Sequence, residues 1–161
     1  MKKTKNIAIL FLLILGILFI NRLSIIRDYK NNLMELENEL YDFANVCLSI
    51  VNTGNTVDES LSKELADCYR DLKDTIYRIK ELYDYCPLPE DYKYFDGWER
   101  YFRKTIIYDS LNYQHTLLYS FYVRSMDLHL KIKTCGYTIE PLDLSIILHE
   151  FIVTEYPFTL H

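Results

Sequence analysis

Residues 33–82 read LMELENELYDFANVCLSIVNTGNTVDESLSKELADCYRDLKDTIYRIKEL, and this stretch decides the fold. It contains two apolar stripes whose members recur every three or four residues, which is the spacing of one face of an amphipathic α-helix. The first stripe, extended back towards the N-terminus, is Ile26, Tyr29, Leu33, Leu36, Leu40, Phe43, Cys47 and Ile50. The second is Leu61, Leu65, Cys68, Leu72, Ile76, Ile79, Leu82 and Cys86.

The two stripes mirror each other across the turn that contains Gly54, so folding the chain at that turn pairs Leu40 with Leu72 and brings the other members together in order. A short turn forces neighbouring helices to run antiparallel, and this symmetry predicts a helical hairpin. We expect Gly54 to be a left-handed helix cap and Thr56 with Glu59 to form a capping box that opens the second helix. The alternative is a parallel homodimeric coiled coil through the first stripe.

The N-terminal segment predicts a membrane anchor. Lys2, Lys3 and Lys5 precede an apolar run over residues 7–20, which reaches 26 if Asn21 and Arg22 extend to the lipid surface. The run has no pair of small residues at a cleavage point, so an uncleaved signal anchor is favoured over a cleaved signal peptide. We therefore expect one transmembrane helix in residues 1–25, with the lipid bilayer contacted through residues 7–26, and one helical domain in residues 26–161.

The charges give the orientation and the class of partner. The N-terminal lysines and the amino group favour an N-terminus inside the cell and a domain outside the cell membrane. Without those three lysines, the chain has 15 basic and 23 acidic residues, which gives the domain a net charge of −8. Nucleic acids require clustered Lys and Arg, and the domain has no such stripe. A nucleic-acid partner is therefore not expected.

Residues 83–102 are rich in aromatic side chains, which follow the end of the second helix at Pro87 and Pro89. The hairpin pairing places this segment at the anchor end, where Tyr and Trp favour the membrane–water interface. Three roles are open: closing the core, resting on the bilayer, or binding a sugar or protein. The candidate interaction surface is Tyr92, Tyr94, Phe95, Trp98, Tyr101 and Phe102.

The rest of the chain predicts two more helices. A long third helix is expected over residues 97–134, started by Asp96 with Glu99 and ended at Gly136. A short fourth helix is expected to begin at Pro141, with an inward face formed by Leu144, Ile147, Leu148 and Phe151. The predicted fold is therefore all-α, a three- or four-helix bundle joined to a transmembrane helix.

The residues that could perform chemistry are dispersed. Cys47, Cys68, Cys86 and Cys135 form no CxxC pair, and free thiols are favoured, with Cys47–Cys135 the most plausible disulfide. The four histidines form neither a Glu-x-x-His nor a complete zincin motif, and no glycine-rich phosphate loop occurs. We expect no metal, no cofactor and no enzymatic activity.

A membrane-anchored, non-catalytic scaffold or accessory subunit of a membrane or envelope complex is the function that these features favour. Its partner is expected to be a protein, and homodimerisation is compatible with the same layout. Two alternatives remain open: a tethered sensor or immunity-type binder of a ligand or toxin, and an enzyme secreted after signal-peptide cleavage.

Overall fold

The computed structural model describes residues 2–82 and 92–153, and all regular structure in these ranges is helical, which confirms the predicted all-α class. The helices are α1 Lys2–Thr53, α2 Glu59–Leu82, α3 Tyr92–Lys104, α4 Leu111–Thr134 and α5 Pro141–Val153, with a 3₁₀ turn Ile106–Tyr108 between α3 and α4. The predicted roles of Cys86, Pro87 and Pro89 lie outside the described residues.

Helix α1 runs without interruption from the apolar N-terminal segment to the Gly54 turn, over 52 residues. Its N-terminal part, where side chains 9–20 are all exposed, is long and apolar enough to cross a membrane, with a mean hydropathy of 2.6. A signal sequence near an N-terminus meets the same criterion. The helix ends as predicted, because Gly54 adopts a φ of +68°.

Three contacts define how α1 meets α2. Arg78 binds Glu35 at 2.7 Å, Thr75 donates to Glu39 at 2.9 Å, and the rings of Phe43 and Tyr69 lie 5.4 Å apart. Residue numbers rise along α1 as they fall along α2, so the two helices run in opposite directions where they touch.

The start of α2 differs from the predicted capping box. Asp58, not Thr56, accepts the N–H of Leu61, with 2.8 Å between the carboxylate oxygen and the nitrogen. Because α2 begins at Glu59, Asp58 occupies the N-cap position, from which a carboxylate reaches the third helical N–H. The correction moves the predicted cap by two residues and leaves the position of the turn unchanged.

The predicted long third helix is wrong, because residues 97–134 are divided between α3 and α4. The β-branched run Thr105, Ile106 and Ile107 disfavours a continuous helix, and Ser110 takes the extended N-cap conformation before α4. The break lets α3 pack on α2 while α4 packs on α1. Asp96 and Glu99 consequently lie inside α3, where both bind Lys73 of α2.

An aromatic cluster forms the centre of the core. Phe121 of α4 contacts Phe43 of α1 and Phe102 of α3, with ring centroids 5.8 and 5.3 Å apart. Tyr69 of α2 and Trp98 of α3 complete the cluster. Four helices therefore meet at one group of rings, and α5 joins them through Phe151, which lies 6.3 Å from Phe121.

Helix α5 begins at Pro141 and packs with the face that its sequence predicted. Leu144, Leu148 and Phe151 are buried, and Ile147 is partly buried against the core. The helix contacts both α3 and α4. The opposite side of α5 is exposed, including Leu142 and Ile146.

Candidate interaction surface

The aromatic residues chosen from the sequence as an interaction surface lie mostly in the core. Phe95, Trp98, Tyr101 and Phe102 are each less than 4% exposed, and Tyr94 packs partly buried against them. Tyr92 is the first residue of α3, and its side chain lies outside the described part. In this conformation these four buried side chains hold α3 in place and form no exposed contact surface.

The spacing of these aromatics explains their burial. Phe95, Trp98 and Phe102 are three and four residues apart, so one side of a helix carries them all. Trp98 lies edge-on to Phe121 at 4.8 Å and stacks on Phe102 at 5.8 Å. Testing this run for helical periodicity, rather than counting its aromatic residues, would have predicted a core face.

Exposed apolar side chains lie on several helices, and sequence reasoning did not select the five on α4 and α5 that are more than 45% exposed. They are Tyr119 (54% exposed), Val123 (47%), Leu130 (51%), Leu142 (56%) and Ile146 (54%). We call these five residues the α4–α5 face. The sequence signal was the presence of apolar residues on more than one side of α4, which a single buried face does not require.

A groove runs between α4 and α5 beside this face. Its two lobes, of about 460 and 480 Å³, share Lys131 and Ile147 and are therefore continuous. Val123 lines the lobe nearer the start of α4, and Ile146 lines the lobe nearer its end. The groove combines an apolar floor with charged edges, an arrangement common at protein-binding surfaces.

The groove carries more acidic than basic groups. Asp127, Glu140, Asp143 and Glu150 line it, against Arg124 and Lys131. Lys131 binds Asp127 at 2.7 Å within α4, which neutralises that basic group. The lobe formed by the start of α5 therefore carries the carboxylates of Glu140 and Asp143 at its surface.

The segment between α4 and α5 is fastened to α1 by two tyrosines. Tyr29 donates its hydroxyl to the carbonyl of Ile139 at 2.8 Å, and Tyr137 donates to Glu37 at 3.0 Å. Gly136 and Tyr137 both have a φ of +60°, which is costly for Tyr137, so its hydrogen bond helps to hold this turn. Since Tyr29 is three residues beyond Ile26, the acidic lobe lies close to the end of the apolar segment.

Glu37 and His129 form a buried polar contact beneath this turn. The Nδ1 atom of His129 lies 3.2 Å from the Glu37 carboxylate and 3.1 Å from the Glu37 carbonyl oxygen. Both side chains are over 90% buried, and the ring of Tyr41 lies against His129 at 5.4 Å. The carboxylate also raises the pKa of Tyr137, through the hydrogen bond that it accepts. The contact serves to join α1, α4 and the turn.

A second polar contact lies between α1 and α2. Burial raises the pKa of Glu39 from 4.5 to about 7, against the opposing effect of its hydrogen bond from Thr75, and nearby Glu35 adds to the rise. The other carboxylate oxygen of Glu39 is buried without a hydrogen-bond partner. Glu39 therefore holds a proton in the folded state at pH values where an exposed glutamate is charged.

The cysteines and histidines do not assemble a metal site in the described residues. Cys47, Cys68 and Cys135 are free thiols, and burial raises the pKa of both Cys47 and Cys68. His115 lies at the far end of the bundle, 3.1 Å from the carbonyl oxygen of Asn55, whereas His129 is buried against Glu37.

Comparison of the chain with protein-family models, with curated proteins and with solved structures found no match.

Proposed function

We propose that this chain is a non-catalytic, membrane-anchored helical scaffold or accessory subunit of a membrane complex, and that it binds another protein through the α4–α5 face. Residues 7–26 would lie in the bilayer, with the helical domain outside the cell. The distal part of α1 and α2 would act as an antiparallel hairpin that supports α3, α4 and α5. The observation that carries the proposal is the exposure of five large apolar side chains on two adjacent helices.

Three features support a protein partner over a lipid surface. The face is accompanied by a groove whose carboxylates, including Glu140 and Asp143, are repelled by anionic head groups. Tyr119 lies about two turns from the start of α4, far along the helix from the turn that Tyr29 fastens. Exposed apolar side chains beside a groove with charged edges are typical of protein contact sites.

Site-specific photocrosslinking in intact cells tests the proposal. A photoreactive side chain at Ile146 is expected to give one adduct of defined mass, because that position lies on the face. Tyr108 is the matched control, since it is 83% exposed but lies in the 3₁₀ turn away from the face. The Leu142→Arg substitution should remove the adduct while leaving the helical circular dichroism unchanged. Equal adducts from positions 146 and 108, or none from 146, would refute the proposal.

Protease treatment of cells that carry a C-terminal tag tests the orientation separately. Digestion of the tag from outside, with the chain retained in carbonate-washed membranes, is expected for an outward-facing domain. A protected tag in the same membranes would reverse the orientation and place the partner in the cytoplasm.

A second candidate function is the binding of a small ligand, and the groove favours it. Each lobe, at about 460 or 480 Å³, falls within the size range of ligand pockets. A compound that occupies the groove would raise the melting temperature of the chain, and Ile147→Trp, which fills the shared part of the groove, would abolish that rise.

A further inference from the structure

We infer that the protein covering the α4–α5 face is a second copy of this chain, related to the first by a two-fold axis perpendicular to the membrane. This inference rests on the proposed function and names its partner. A symmetric contact uses the same patch on both copies, so the patch must be complementary to itself. Two copies anchored in one membrane also share their orientation and their height above the bilayer.

The equal height is a strict condition, because a group on one copy can meet only those groups of the other copy that lie at the same distance from the membrane. The hydrogen bond between Tyr29 and Ile139 shows which residues share a height. Arg27 and Lys30 flank Tyr29 on α1, and Glu140 and Asp143 follow Ile139. Two basic and two acidic residues thus lie at the same level, just beyond the apolar segment.

These charged groups are available to a partner. The side chain of Arg27 is 74% exposed, and its one ion pair among the described residues is a 3.7 Å contact with the neighbouring Asp28. Lys30, Glu140 and Asp143 are exposed and form no ion pair within the described part of the chain. In a two-fold pair, the basic groups of each copy can therefore approach the acidic groups of the other.

The apolar residues of α4 satisfy the second condition, which is self-complementarity in a parallel arrangement. Tyr119, Val123, Met126 and Leu130 are spaced by four, three and four residues, as in the seam of a parallel coiled coil. None of the four is charged, so two such seams meet without like-charge repulsion. Confinement of both copies to one membrane raises their effective concentration, and a seam of modest length can then suffice.

Disulfide crosslinking of the full-length chain in native membranes tests the inference. Cys68, Cys86 and Cys135 are replaced by Ser, the buried Cys47 is kept, and Leu130→Cys is introduced on the seam. Mild oxidation is expected to convert most of the chain to a covalent dimer, because seam positions face their own counterparts across the axis. Tyr108→Cys in the same background is the control and should remain monomeric.

Charge reversal tests whether the basic groups of one copy meet the acidic groups of the other. Changing Glu140 and Asp143 to Lys should lower the crosslinked fraction at least fivefold, and adding Arg27→Glu and Lys30→Glu should restore it. Failure of the fourfold variant to recover, while its helical circular dichroism matches the parent, would overturn the charge pairing and the two-fold arrangement that it supports.

Counting photobleaching steps on the fluorescently tagged wild-type chain gives a measurement that needs no substitution. Two steps per spot in membranes are expected, and single steps would overturn the inference. Single steps together with a photocrosslinked adduct from position 146 to a different protein would leave the proposed function intact. Absence of every adduct would remove both.

Discussion

Helix α3 and the outer side of α4 both carry large apolar side chains at helical spacing, but the chain covers only those of α3. Trp98 is 1% exposed and packs against Phe121 of α4, whereas Leu130 is 51% exposed. The difference shows that apolar periodicity predicts a face that must be covered, but not which molecule covers it. On α3 the cover is the chain itself, and on α4 we propose that it is another protein.

The largest expected effect is a difference in the free energy of unfolding between substitutions on the buried face of α3 and on the α4–α5 face. Trp98→Ala should lower the free energy of unfolding by about 3–5 kcal/mol, because it leaves a cavity in the aromatic cluster. The matched change Tyr119→Ala on the α4–α5 face should lower it by less than about 0.5 kcal/mol. Urea denaturation of the detergent-solubilised chain measures both, and equal losses would contradict the comparison.

The next effect concerns Gln114, a buried side chain at the end of the bundle that contains the Gly54 turn. Gln114, buried at the start of α4, accepts the N–H of Val57 at 2.9 Å and donates to the carbonyls of Ile106 and Asp109 at 2.7 and 3.2 Å. Gln114→Ala removes the partner of the Val57 N–H and of the Asp109 carbonyl, whereas the Ile106 carbonyl still accepts the N–H of Asp109, and the change should cost about 2–3 kcal/mol. Thr116→Ala, at an exposed position in the same turn of α4, is the control. Denaturation midpoints should separate the two variants clearly.

Gln114 also illustrates what the sequence could and could not predict. The stripes around Gly54, the cap at that residue, the class of fold and the inward face of α5 all follow from local spacing. The division of the third helix depends on Thr105 to Ser110, where weak helix propensity and the carbonyl contacts of Gln114 act together. Tertiary contacts of that kind leave no periodic signal in a single sequence. The burial of Phe95, Trp98 and Phe102 is a different case, because their spacing of three and four residues does carry a periodic signal for a core face.

A smaller effect concerns Glu39, whose partly buried carboxyl group lies between α1 and α2. The pKa of Glu39 is raised in the folded state, from 4.5 to about 7, so folding retains a proton that the unfolded chain releases. Stability from this group is therefore complete below pH 4.5 and falls as the pH rises to 7. After allowance for its partial exposure, the loss should be on the order of 1–2 kcal/mol.

The Glu39→Gln variant isolates this contribution. Its urea midpoint should fall less than that of the wild type between pH 4.5 and pH 8, and the variant should be the more stable of the two at pH 8. A parallel pH dependence of the two proteins would show that Glu39 does not retain its proton.

The smallest effect sharpens the comparison at the exposed face. Leu130→Ser should change the stability of the detergent-solubilised monomer by less than about 0.5 kcal/mol, because the side chain is half exposed there. In membranes, where we propose that the face is covered, the same variant should melt at a lower temperature than the wild type. Identical melting of the two proteins in membranes would mean that the face stays uncovered.

The continuity of α1 also has a mechanical consequence. Because one unbroken helix runs from the apolar segment to Thr53, any tilt of the apolar segment also tilts the part of α1 that belongs to the domain. Thr53 lies roughly 40 Å beyond Ile26 at 1.5 Å per residue. A lean of about 20°, ordinary for helices in lipid, would swing the far tip sideways by roughly 14 Å. With residues 7–26 in the bilayer, as we propose, a change in bilayer thickness that tilts α1 would be amplified into a larger displacement at the far end of the domain.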